Sequence, residues 1–473
     1  GVPMNKQLLC TSLLMASLAM SACGGGGDDD APSPSPAPSG PLSVDTQFGE
    51  QGKVQVSLAP FGGEVTAHEL PDGKLLLIGH RQLESTVIDT DPTGATSRVP
   101  ATRLFAQRRL ANGQLDPSYG QQGTLEWNVA GAGSDTIDTS RVLSDGSVAL
   151  VLRASEPCVS NIMARGCPDI YTHSYLQHLL ADGRLDQSGN AEGHAMLPGW
   201  DHVLRESHGQ LLALGTTSYG RLGIFGWNLS RHSFNTTLDT RFGQQGNVES
   251  RCEADGGDLV VDASQSIWVS SSSLSSSRLT GLCVERLTDT GAVHTSMPQP
   301  VQVPLAMNLL VTNMRVLPDQ RVMVAGTGST SSAVAGTSHV FAVSFKPDGQ
   351  LSPSYGRQGV ADYEIPAPSY SPWYVRGTSR ITDEGELHRV GSYIQGDQTR
   401  AGDFNLRFTA QGQADPSWKP TALRWDQMGA SGDLILVDSQ RRWLVRTTDT
   451  TRPNAPSVVT FTRLKGGVAL ADR

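Results

Sequence analysis

The sequence predicts an all-β chain folded as a seven-bladed β-propeller of four-stranded antiparallel blades, and three recurring phrases predict it. The first runs Leu115-Asp116-Pro117-Ser118-Tyr119-Gly120-Gln121-Gln122-Gly123. It returns at Val44–Gly52, Leu238–Gly246 and Leu351–Gly359, with worn copies at Leu185–Gly189 and Ala414–Trp418. The second is an apolar approach, an Asp-Gly turn and an apolar strand, clearest in Leu70-Pro71-Asp72-Gly73-Lys74-Leu75-Leu76-Leu77-Ile78-Gly79. Seven copies can be followed, at Leu143–Leu152, Ser207–Gly215, Asp262–Ser270, Leu317–Gly326, Thr382–Gly391 and Asp438–Arg446 besides the first. The third is an alternating strand and a Gly turn ahead of each nine-residue phrase, as in Leu104–Leu110 before Asn112-Gly113 and Phe341–Phe345 before Asp348-Gly349.

The N-terminal segment differs from the rest. Met4-Asn5-Lys6-Gln7 reads as a short positive region, with Gly1-Val2-Pro3 an upstream extension. The apolar run Leu8–Met20 has the length of a signal-peptide core and is too short to span a bilayer. Met20-Ser21-Ala22-Cys23 resembles the lipobox of bacterial lipoproteins, with Met20 in place of the usual Leu. That resemblance implies a signal peptide over 1–23 and lipidation of Cys23, which becomes the mature N-terminus. The alternative is ordinary cleavage after Ala22, leaving Cys23 unmodified. Residues 24–40, GGGG then DDD then Ala, Pro and Ser, form a spacer that cannot bury a core. Gly24 directly after Cys23 implies sorting to the outer membrane. The expected location is therefore the bacterial cell envelope, with a lipid anchor on the membrane and the propeller over 41–473.

Composition agrees with a chain of short strands. Gly counts 51 and charged residues 18%, and no amphipathic helical stripe follows the leader. A net charge of −9 argues against a nucleic-acid partner. Four cysteines lie beyond the leader. In an exported chain Cys158–Cys167 and Cys252–Cys283 are the favoured disulfides, free thiols being the alternative, and the spacing by itself does not settle the pairing.

Each unit offers one strand after the G-x-x-G, one before the Asp-Gly, one after it and one before the next nine-residue phrase. The Asp-Gly pairs are expected to make type I′ hairpin turns. The chain opens with the end of a unit and finishes on Val458–Leu464, the strand that precedes that end, so N- and C-terminal strands are expected to close the ring. These phrases resemble the delta-60 repeat proteins, a bacterial propeller family, from about Val44 to Leu464. The resemblance implies fold and carries no catalytic residues.

Within the nine-residue phrase every residue type has a structural reading. Asp45, Asp116 and Asp239 accept backbone N–H bonds two residues on, while Ser352 stands in that place in the last full copy. Phe48, Tyr119, Phe242 and Tyr355 pack between blades. Gly49, Gly52, Gly120, Gly123, Gly243, Gly246, Gly356 and Gly359 supply positive φ. The phrase is read as the connection from one blade's outer strand to the next blade's inner strand. Trp127, Trp227, Trp268, Trp418, Trp425 and Trp443 read as packing residues.

Function is expected on the face that carries the insertions, His80–Pro100, Ala154–Thr172 and Ser270–Arg278. Asp89–Gly94 resembles the start of a calcium loop, but Pro100 occupies the position of the closing glutamate. No nucleophile elbow, phosphate loop or zinc spacing occurs. The expectation is a monomeric, non-enzymatic binding or scaffold module for a protein or glycan, without metal or cofactor. An enzyme with its site at the channel mouth and a purely structural envelope component are the alternatives.

Overall fold

The computed structural model describes residues 43–58, 62–90, 96–129, 134–157, 170–219, 224–275, 278–330, 337–365, 375–394, 400–418, 433–437, 442–449 and 458–465. All of them belong to one unit, Ala37–Arg473, and no helix occurs among them. They form seven antiparallel sheets, an arrangement consistent with a β-propeller.

The first sheet is Gly63–Glu69, Leu75–Thr90, Thr96–Arg109 and Thr124–Trp127. The second is Ser134–Val142, Val148–Pro157, Ile170–Leu179 and His194–Leu197; the third is Trp200–Ser207, Gln210–Tyr219, Ile224–Ser233 and Asn247–Glu249. The fourth is Ala254–Val261, Ile267–Ser275, Arg278–Leu287 and Val301–Val303; the fifth is Asn308–Val316, Val322–Ser329, Ser338–Phe345 and Val360–Glu364. The sixth is Val375–Ile381, Leu387–Ile394, Arg400–Phe408 and Ala414–Asp415. The seventh takes Asp433–Val437, Trp443–Asp449 and Val458–Lys465 from the C-terminal part, and its last strand pairs with both Ser43–Val44 and Lys53–Ser57.

Burial follows strand position. Second and third strands are covered on both faces, so Val322–Ser329 and Ser338–Phe345 are buried at every residue. The edge strand Lys53–Ser57 alternates exposed and buried. The core is laid down as layers between adjacent sheets. Leu76, Ile78 and Leu104 of the first sheet meet Leu150 and Leu152 of the second, and Trp268 and Val284 of the fourth meet Val322 and Phe341 of the fifth. Phe48, Val54 and Phe461 of the seventh meet Leu75 and Leu77 of the first.

Three expectations change. The nine-residue phrase does not join blades along the chain: Thr96–Arg109 leads into it, Thr124–Trp127 follows it, and those two strands pair with each other. It is the turn from third to fourth strand within one sheet. The Asp-Gly turns are mostly not type I′. Leu70 N–H donates to Lys74 O and Gly73 N–H to Leu70 O, a three-residue loop in which only Gly73 (φ 76°) is left-handed. Pro71 and Pro318 fit the second position of that turn. Gln320 (φ 66°) takes the glycine's place in the fifth sheet. Among the described turns of this kind, only His208 (φ 49°) and Gly209 (φ 69°) are left-handed together as a two-residue turn demands. Finally, His80–Pro100 is not an irregular loop, since strands of 16 and 14 residues carry the ladder out to Thr90↔Thr96 as a hairpin arm with two bulges. Ser270–Arg278 is likewise mostly strand, paired out to Ser275↔Arg278.

Candidate functional site

The recurring polar residues of the repeat phrase are engaged in holding sheets together. Arg231, on the third strand of its sheet, donates to Asp239 from Nε (3.1 Å) and Nη2 (2.8 Å), eight residues on. Its guanidinium lies 4.7 Å from the Phe242 ring centroid, and its Nη1 donates to the carbonyl of Asp289 in the fourth sheet's turn at 2.6 Å. Arg108 repeats this with Asp116 (2.9 Å), Tyr119 (4.9 Å) and Ala181 O (2.6 Å). Arg463 repeats it with Asp45 (2.8 Å), Phe48 (4.4 Å) and Ala111 O. Beside each, the phrase glycine donates to the same neighbouring turn: Gly243 N–H to Thr290 O, Gly120 to Asp182 O, Gly49 to Asn112 O and Gly356 to Gln411 O. A Cβ on Gly183 would stand 2.9 Å from Gly120 N and from the Tyr119 ring, so that turn closes only on glycine.

The partner residue varies together with the aspartate. His178 Nδ1 meets Asp186 at 2.8 Å, Arg407 meets Asp415 at 2.8 Å, and where Ser352 replaces the acid, Ser344 replaces the arginine (3.2 Å). Burial opposes the charge on Asp239, yet the backbone N–H of Arg241 and the side chains of Arg231 and Arg241 hold its pKa at about 2. Ser118 and Lys74 hold Asp116 below the usual carboxylate range, against the opposing effect of burial. The aspartates, aromatics and glycines of the phrase were legible in the sequence. The arginine eight residues earlier was also visible at 108, 231 and 407, but only the stacking geometry shows what it does.

The first strands carry a different chemistry. Their pairing with the second strands is interrupted by bulges at Ile137/Thr139, Trp200/Val203, Asp255/Asp258, Val311/Asn313 and Leu434/Leu436. A bulge re-aims side chains out of the ladder. Asp138, released in this way, accepts from His202 N–H (3.0 Å), faces His202 Nδ1 (3.3 Å) and pairs with Arg153 (3.4 Å). Thr312 bonds Ser379 of the next sheet at 3.2 Å.

Between the first strands of sheets one and two lies a cavity of about 330 Å³, lined by Glu64, Thr66, His68, His80, Asp138, Thr139, Ser140 and Arg446 with Val65, Ile78, Gly79 and Ile137. His68 Nε2 and Ser140 Oγ are 2.6 Å apart, and Arg446 is fixed by its bond to Val65 O (3.0 Å). Burial, then the nearby Arg141, push the His68 pKa down to about 4, which leaves a neutral imidazole at pH 7. His80 Nδ1 is buried without a hydrogen-bond partner among the described residues. A second cavity of about 420 Å³ opens on the turn face, lined by Glu69, Leu70, Pro71, Val142, Leu143, Ser144 and Glu206.

Cys252 and Cys283 are joined by a disulfide, Cα–Cα 6.6 Å, tying the entry to the fourth sheet to its third strand. Cys23, Cys158 and Cys167 lie outside the described residues, as do Asp91–Gly94 of the calcium-like stretch. No group of three metal-ligating side chains occurs among the described residues. Trp227 and Trp268 are fully buried, and Trp127 Nε1 donates to Gln177 across the sheet interface (2.9 Å). Trp418 stacks 4.7 Å from His388, while the Trp425 and Trp443 side chains lie outside the description.

No family model matches the chain, and no curated protein does. Among solved structures, a mannose phosphorylase from Leishmania mexicana matches 59% of this chain and 85% of its own at 11% identity, TM-score 0.30. A GH43 endo-arabinanase from Bacillus licheniformis matches 58% of this chain and 94% of its own at 11% identity, TM-score 0.29. An acylaminoacyl peptidase from Pyrococcus horikoshii matches 82% of this chain and half (50%) of its own at 8% identity, TM-score 0.38. Likeness at these scores transfers neither fold nor activity.

Proposed function

We propose that this chain is a closed seven-bladed propeller, exported and tethered to the bacterial envelope through a lipid on Cys23, that binds a glycan without transforming it. Contact of Asp433–Val437 with Gly63–Glu69, together with the split outer strand of the seventh sheet, supports ring closure. Deleting Val458–Arg473 should leave an aggregating chain, and a soluble truncation that melts cooperatively would refute closure.

The cavity at the first strands carries the binding reading. It presents donors and acceptors of both signs beside the apolar Val65, Ile78 and Ile137, with an unpaired His80 Nδ1, which is the mix of polar groups and apolar surface that a sugar ring needs. A glycan array probed with the full mature chain tests it, alongside Glu64→Ala and Ser140→Ala. Both variants should weaken binding while circular dichroism stays unchanged. A folded chain that retains no glycan overturns the reading. Mass spectrometry of the mature N-terminus tests the anchor, and an unmodified Cys23 removes it.

The 2.6 Å contact between His68 and Ser140 favours a second reading, a hydrolase. Against it, an imidazole with a pKa of about 4 is a weak base, and no carboxylate bonds its Nδ1 among the described residues. Stoichiometric fluorophosphonate labelling of Ser140 would establish the hydrolase instead.

A further inference from the structure

In sheets one to five the second strand turns an aliphatic side chain toward the preceding sheet, four residues past the left-handed residue of its turn. The position holds Leu77, Leu150, Ala213, Val269 and Val324, each buried in a layer between sheets. In the sixth sheet, four residues past Gly385 (φ 88°), it holds Arg389. Leu387, two residues before it, and Leu406, its partner on the third strand, pack with Met323, Ala325 and Val340 of the fifth sheet. Alternation along the strand therefore sends Arg389 into that same apolar layer.

Three arginines are buried among the described residues, and Arg389 differs from the other two. Arg286 and Arg463 each have an aspartate at 2.8 Å, Asp262 and Asp45, and an aromatic ring under the guanidinium. Arg389, 3% exposed, makes no hydrogen bond, ion pair or ring contact among the described residues, and its Nε is sealed from solvent without an acceptor. The nearest acid along its strand, Glu386, lies on the other face and is bonded to His388 (2.8 Å). Burial alone pushes the Arg389 pKa down, to about 10, with no carboxylate acting against it, so the charge persists at pH 7. In the fifth sheet, Thr327 follows Ala325 by two residues on the face that meets this layer; it is 1% exposed and its hydroxyl is also unpartnered.

We infer that a small monovalent anion of halide size binds at Arg389, in the layer between the fifth and sixth sheets. The inference is independent of the glycan reading. A guanidinium taken out of water loses its hydration, and here nothing in the protein replaces it. A bound water would satisfy one donor and leave the charge uncompensated. One positive charge, with no second cation acting on it, matches a monoanion and not a phosphate or sulfate dianion. The burial of the site admits a single ion and excludes the carboxylate of a sugar or peptide, which brings the bulk of its carrier with it. The unused guanidinium N–H groups and the Thr327 hydroxyl are donors of the kind a halide accepts from.

The test compares melting temperatures of the full mature chain in sodium chloride, bromide and gluconate at one ionic strength, gluconate being too bulky to enter. Chloride and bromide should raise the wild-type melting temperature by about 2 °C or more over gluconate, because a ligand that binds only the folded state stabilises it. Arg389→Leu, which installs the side chain of sheets one and two, should remove that difference. Bromide-soaked crystals of the wild-type chain give a readout that does not depend on the variant folding, with an anomalous peak expected at the Arg389 guanidinium. Equal wild-type melting in halide and gluconate, a halide effect kept by folded Arg389→Leu, or bromide crystals without a peak at Arg389 each overturns the inference.

Discussion

The arginine clamp makes a quantitative claim that a double-mutant cycle on Arg231 and Asp239 can test. Arg231→Ser leaves Asp239, whose side chain is 8% exposed, without its main counter-charge; it also loses the stack on Phe242 and the bond to Asp289 O. Asp239→Ser leaves a largely buried guanidinium unpaired. Breaking one side of a buried pair costs about 3 kcal/mol or more. The double serine variant recreates the Ser344/Ser352 pair that the fifth sheet already uses. It orphans no charge and loses only the stack and the inter-sheet bond, which together contribute about 3 kcal/mol or less. The double variant should therefore be about as stable as Asp239→Ser and more stable than Arg231→Ser, a coupling of about 3 kcal/mol or more, at or above the top of the usual range. Guanidinium denaturation followed by tryptophan fluorescence reads it, with Trp227 buried in the same sheet. Additive single effects, within about 0.5 kcal/mol, would show that the pair contributes no coupling and that the clamp argument is wrong.

Other expectations follow from the same geometry. Gly183→Ala places a Cβ 2.9 Å from Gly120 N and Tyr119 at φ +87° and should lower the melting temperature by several degrees, whereas Gly73→Ala, with open space around it, should cost only its left-handed strain. Cys252→Ser/Cys283→Ser opens a link of sequence separation 31 and should cost about 3–4 kcal/mol by loop entropy, read by denaturation with and without reductant. His68 has its pKa depressed to about 4 by burial and by Arg141. The unfolded chain therefore takes up this proton first as pH falls below about 6.5. Stability contributed by the neutral imidazole is present above that pH and is lost down to about 4. His68→Gln should flatten that segment of the melting-temperature profile, and an unchanged profile contradicts the burial argument.

The sequence carried more of the fold than of the site. The nine-residue phrase marked its turn correctly, because Asp116 and Gly123 act on neighbours two to four residues away. It misplaced that turn between sheets, since a strand's partners on either side of a turn look alike when every strand is short and apolar. The arm at 80–100 read as a loop for the converse reason: its polar residues carry no alternation, and it is the ladder pairing that makes it a hairpin. Nor did the first-strand cavity have a signature. Glu64, His80, Ser140 and Arg446 are scattered singly along the chain and meet only because three sheets converge there.

Local chemistry thus accounts for the turns, the strand count and the grouping into seven units, since each depends on a few consecutive residues whose φ preferences and side-chain bonds are short-ranged. Sheet membership, the joining of Lys53–Ser57 to Val458–Lys465, and the pairing of Arg205 with Asp258 depend on contacts between distant residues. Those are decided by which carboxylate lies within a few ångströms of which guanidinium. Spacing along the chain does not encode that distance, because it is set by how the sheets pack.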